Sequence, residues 1–167
     1  MKTIISGENK SKNNRLIGFL SIFCSVFSII MMGMWVLWFA FAFDMPNGYF
    51  DTIPPAQKMF SNAMGMMLMG AVIGTIVAAL LLTIGGFAII WKPNRQTISR
   101  IGAYTGLASG IGMLMASCLS IPVSMTFLNI SDAFLRAAFL SIAPIICITF
   151  PILILILLRK SLAKVNN

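Results

Sequence analysis

Four long stretches of this chain contain no Asp, Glu, Lys or Arg: Leu16 to Phe43, Met59 to Trp91, Ile101 to Ser131, and Ala137 to Leu158. Crossing about 30 Å of hydrocarbon at about 1.5 Å per residue takes roughly 20 apolar residues. Every stretch exceeds that length. No run of alternating apolar and polar residues is present, so an outer-membrane barrel is not expected. A chain in hydrocarbon must satisfy its own backbone hydrogen bonds, which leaves the α-helix. The expected fold is therefore all-α: a polytopic integral membrane protein built as a four-transmembrane-helix bundle. Composition agrees, with 59% hydrophobic and 10% charged residues, against about 45–50% and about 25% in soluble domains.

The expected layout is a cytoplasmic N-terminal tail over 1–15, a transmembrane domain over 16–158, and a cytoplasmic C-terminal tail over 159–167. The spans are placed at about 16–43, 59–91, 101–130 and 133–158. The first span follows a basic lead and resembles a signal peptide. Its apolar run is far longer than the usual ~7–15 residues, so it reads as an uncleaved signal anchor.

Orientation follows from the cations. Lys2, Lys10, Lys12 and Arg15 precede span 1; Lys92, Arg95 and Arg100 lie between spans 2 and 3; Arg159, Lys160 and Lys164 follow span 4. Only Lys58 and Arg136 fall on the other side, with Asp44, Asp51 and Asp132. Basic residues stay on the cytoplasmic side, which puts both termini there. The expected location is the cytoplasmic (inner) membrane of a bacterium. The net charge of +8 is then explained by topology and anionic lipid, and no nucleic-acid partner is expected.

The span ends carry their own signals. Ser99 is a candidate N-cap for helix 3 and Asn13 or Asn14 for helix 1. Pro54 and Pro55 suit the first turn of helix 2. Trp91-Lys92-Pro93 suits its end. Trp35, Trp38, Phe39, Phe41 and Phe43 crowd one half of helix 1 as an interfacial belt. Asp132 and Arg136 form an i, i+4 pair at the start of helix 4. Asn129-Ile130-Ser131 matches a glycosylation sequon. The loop from Asp44 to Lys58 carries Tyr49 and Phe50, expected on the membrane surface.

Catalytic chemistry is poorly provided for. The chain has no His, which removes the commonest general base and most zinc, iron and haem ligation. No carboxylate falls within a span, no phosphate-binding loop is present, and Cys24, Cys118 and Cys147 are solitary. No enzyme activity and no cofactor are expected.

Small residues offer a different role. Gly102, Gly106 and Gly110 repeat every four residues in helix 3; Gly70, Gly74 and Ala78 do so in helix 2, followed by Gly85. Such stripes let helix backbones approach closely. Counting from the loop puts Gly85 level with Gly106, and Gly74 level with Ser117. The stripes suit either internal packing or docking of a second copy or another membrane protein. The expected role is an accessory, assembly or scaffolding subunit. The alternative is a small transporter or channel for a neutral or soft solute. A Cu(I) site is a weak form of it, since Met and Cys are the ligands Cu(I) prefers. Its candidate ligands are Met115, Cys118 and Cys147, with Met34 and Met69. The same counting puts Met34 level with Met69, and Cys147 level with Ala116. Cys118 and Cys147 each open a Cys-x-[Ser/Thr]-x-Pro pattern, whose proline frees the cysteine's own carbonyl.

Overall fold

The computed structural model describes residues 2–42, 54–92, 96–125 and 128–163. Four helices follow one another: α1 (Lys2–Ala42), α2 (Pro55–Trp91), α3 (Thr97–Ser124) and α4 (Ile130–Ala163). Each contains a segment long and apolar enough to cross a membrane. Consecutive helices pack side by side and α4 returns to α1, so the four close into a ring. The surface is rich in large apolar side chains, among them Phe19, Ile73, Leu80, Phe139 and Ile145. A soluble domain buries such residues; a bundle in lipid has no need to.

The ends of α2 match expectation. Pro54 occupies the N-cap position, Pro55 begins the helix, and Lys92 caps it after Trp91. Pro at the first position costs nothing, because that N–H has no partner in the helix anyway. Lys58 accordingly lies inside α2, donating its N–H to the Pro54 carbonyl at 3.1 Å, rather than at the end of a loop.

Other boundaries need correction. α1 runs from Lys2, so neither Asn13 nor Asn14 caps it. Hydropathy marks where a span lies, but Lys, Asn and Ser are tolerated in a helix and nothing stops it there. Gln96, not Ser99, holds the N-cap position of α3. α3 ends at Ser124, short of the expected 130, two residues after Pro122. α4 starts at Ile130 and includes Asp132 in its first turn, where a carboxylate complements the helix dipole. Trp35 and Phe39 are not belt residues: they are buried and in ring contact at 5.1 Å, while Trp38 is exposed. Tyr49, Phe50 and Phe43 lie outside the described residues.

The interior divides into two apolar clusters along the bundle. One gathers Trp35, Phe39, Met64, Ala71, Met113, Ala116, Leu140 and Cys147. The other gathers Ile17, Cys24, Leu82, Ile89, Ala103, Ile154 and Leu158.

Candidate functional site

Glycine sets how the helices meet. On α2 and α3, a Cβ on Gly85 would lie 2.8 Å from the Ser99 Cα, and one on Gly74 would lie 3.1 Å from the Ser109 Cβ. A Cβ on Gly102 would come within 2.9 Å of the Leu82 nitrogen, and one on Gly106 would meet Pro151 of α4 at 3.1 Å and Ala78 at 3.5 Å. Gly110 faces Ile148 of α4. Six of the seven predicted packing residues thus sit in helix–helix contacts. Gly70 does not: nothing lies within 4 Å of where its Cβ would be.

The register differs from the one counted from the loops. Gly85 meets Ser99 instead of Gly106, and Gly74 meets Ser109 instead of Ser117, a displacement of about two turns. Small residues fit against one another at only certain offsets, and this fit, not the loop midpoint, fixes the axial position. Gly18, absent from the predicted set, brings α1 against α2. Cβ atoms built on Gly18 and Gly86 would each lie 2.7 Å from the other's carbonyl oxygen.

A shift in the same sense at the α3–α4 seam separates one pair of the candidate Cu(I) ligands, while Met34 and Met69 stay within about a turn of one level. Gly110 faces Ile148 and Ser117 reaches Leu140, so Cys147 lies more than a turn from the level of Ala116. Cys147 is buried, whereas Cys118, Met115, Met34 and Met69 are exposed. The two Cys-x-[Ser/Thr]-x-Pro copies present opposite residues inward. In the first, Ser120 is buried and donates to the Ser117 carbonyl at 2.6 Å. In the second, Cys147 is buried and the exposed Thr149 donates to the Ile145 carbonyl at 2.8 Å. Among the described residues, no group of three or more His, Cys, Asp or Glu side chains could hold a metal.

The structure builds instead a series of buried hydroxyl knots. The central one starts from Pro144, inside α4 and fully buried. Pro144 has no N–H, so the Leu140 carbonyl four residues earlier loses its helical donor. Two side chains from other helices replace it. The Trp35 indole N–H donates to the Leu140 oxygen at 2.9 Å and, more weakly, to the Ser117 Oγ at 3.3 Å. The Ser117 hydroxyl lies 3.0 Å from both the Leu140 and Met113 carbonyl oxygens, and its single proton serves one of them at a time. This knot ties α1, α3 and α4 together.

A second knot joins α2 to α3. Ser109 donates to the Ala71 carbonyl at 2.6 Å; Thr75 lies 2.6 Å from Ser109 and 2.8 Å from the same carbonyl. Gly74 makes room for it. A third joins α1 to α2, with Ser25 and Thr83 2.7 Å apart. At one end, Gln96 Nε2 donates to Ser161 Oγ at 3.2 Å. Ser21, Ser99 and Ser124 add buried hydroxyls that have no hydrogen-bond partner among the described residues.

Sequence reasoning missed these knots, although one signal was present. A proline inside a helix announces a carbonyl needing a donor, which points to Leu140. The donor, Trp35, lies 105 residues away and nothing local announces it.

Chemically, the knots hold hydroxyl, indole and peptide groups. They bind helices to one another and offer neutral hydrogen-bonding capacity. Comparison with protein-family models, curated proteins and solved structures finds no match for this chain.

Proposed function

We propose that this chain is a multi-pass protein of a bacterial cytoplasmic membrane, with both termini in the cytoplasm. Its role is that of a non-enzymatic accessory or assembly subunit that packs against another membrane protein. The observation that carries this reading is a set of glycines left without neighbours on the outside of α1 and α2. Gly33 of α1 and Gly65 and Gly70 of α2 have nothing within 4 Å of their Cβ positions. Exposed Met34, Met66 and Met69 border them. Glycine lets a foreign helix approach, and methionine adapts to its shape. The remaining glycines of α2 and α3 already meet a neighbour within the bundle.

Two measurements test this reading. Reporter fusions after residue 94 and at the C-terminus read cytoplasmic, and fusions near Asn47 read external; an external C-terminus refutes the orientation. Gly70→Ile does not lower the thermal midpoint of the purified chain but abolishes co-purification of the partner, or self-association. Unchanged association in Gly70→Ile and Gly33→Ile together refutes the docking role.

A second reading, passage of a neutral solute, draws support from the buried hydroxyls of Ser21, Ser25, Ser28, Ser117, Ser120 and Ser124. Flux of small polyols into liposomes holding the purified chain tests it.

A further inference from the structure

The α3–α4 seam holds a cleft of about 450 Å³ lined by Arg100, Tyr104, Leu155, Ile156 and Arg159. We propose that this cleft binds the phosphate of an anionic phospholipid, with the start of an acyl chain lying over Leu155 and Ile156. The inference rests on the membrane reading above and specifies a lipid partner for one face of it.

Three observations converge. Two arginines from different helices and a tyrosine line the cleft, and among the described residues no carboxylate does. Among the described residues, neither Arg100 nor Arg159 has an ion-pair partner. Arginine's planar fork matches phosphate oxygens bidentately.

Arg100 also lies in the opening turns of α3, a helix with no acidic residue in its first turn. The helix dipole opposes a cation there and favours an anion. A bound phosphate would offset that repulsion and accept from the guanidinium at once.

The remaining walls are apolar, and Ile156 and Tyr104 are exposed on the outer surface of the bundle. The cleft therefore opens sideways toward lipid. It lies beside the α2–α3 loop and the α4 end, where basic residues mark the cytoplasmic leaflet with its anionic lipids. A free phosphate would satisfy the guanidiniums but leave Leu155 and Ile156 uncovered, which is why a lipid is the occupant assigned.

The test uses the full chain, purified in a mild neutral detergent, delipidated, and titrated with phosphatidylglycerol under native mass spectrometry. Phosphatidylcholine and inorganic phosphate serve as the other arms. Phosphatidylglycerol is retained, phosphatidylcholine is not, and inorganic phosphate does not displace it. Arg100→Lys and Arg159→Lys keep the charge that sets topology but lose the fork, and each weakens retention about tenfold. Lys160→Gln, outside the cleft, retains lipid as the parent does. Thermal midpoints confirm that each variant is folded.

Equal retention of the two lipids overturns the site, as does parent-like retention by both Arg→Lys variants. A loss in Lys160→Gln equal to that in Arg159→Lys reduces it to diffuse surface charge and overturns it too. Displacement by inorganic phosphate overturns the lipid assignment. The membrane reading fails separately, if alkaline carbonate extracts the chain from membranes, whatever the titration gives.

Discussion

The Pro144 knot makes a quantitative prediction. Trp35→Phe with Ser117→Ala removes both donors from the Leu140 carbonyl. That carbonyl cannot recover a helical bond, because Pro144 has no N–H. An unsatisfied buried acceptor costs about 1–3 kcal/mol. Interhelical side-chain hydrogen bonds in bilayers are worth about 0.6 kcal/mol on average and up to about 1.7, so the lower half of that range is expected. Pro144→Ala changes the arithmetic. The substituted alanine supplies an N–H to the Leu140 oxygen, and the carbonyl no longer depends on α1 and α3. The same Trp35→Phe/Ser117→Ala pair should then cost about 1–2 kcal/mol less than in the parent background. Packing losses from the smaller ring and the missing hydroxyl occur in both backgrounds and cancel in the cycle. Reversible unfolding in mixed micelles measures all four proteins. If the two perturbations are additive within about 0.5 kcal/mol, the carbonyl is not what Trp35 and Ser117 serve, and the account of the knot is wrong.

Further outcomes follow from the helix contacts. Alanine substitutions at glycine should rank by the space each Cβ meets. Gly85→Ala, within 2.8 Å of the Ser99 Cα, loses about 1–3 kcal/mol by overpacking. Gly106→Ala, at 3.1 Å from a proline ring carbon, loses less, and Gly70→Ala gains up to about 1 kcal/mol from helix propensity. Thermal midpoints in detergent check the order, and a Gly85→Ala protein as stable as the parent refutes the close contact. Cysteine alkylation supplies a separate check. In mild detergent Cys118 reacts with a small maleimide, while Cys24 and Cys147 react only after unfolding, as their burial requires. Rapid labelling of all three in the folded protein contradicts the packing.

The chain's local content determined a good deal. Four helices, their approximate spans and both ends of α2 followed from hydropathy, length and proline, because backbone hydrogen bonds join near neighbours and transfer free energy adds along a segment. Most glycines of α2 and α3 were also marked as packing residues, since a small side chain there has few other uses. Capping was less legible: Asn13, Asn14 and Ser99 are good cap residues at sites where the helix had already begun. Tertiary structure alone decided the axial register. A helix presents similar faces every turn, so sliding α3 by about two turns changes every partner without changing any local preference. That slide brought Ser109 to Gly74 and moved Cys147 away from the level of Ala116. The tertiary structure also turned Gly70 outward, beside the buried Ala71. It also decided that Trp35 faces inward, where the acceptor exposed by Pro144 awaits a donor that only the folded bundle brings within reach.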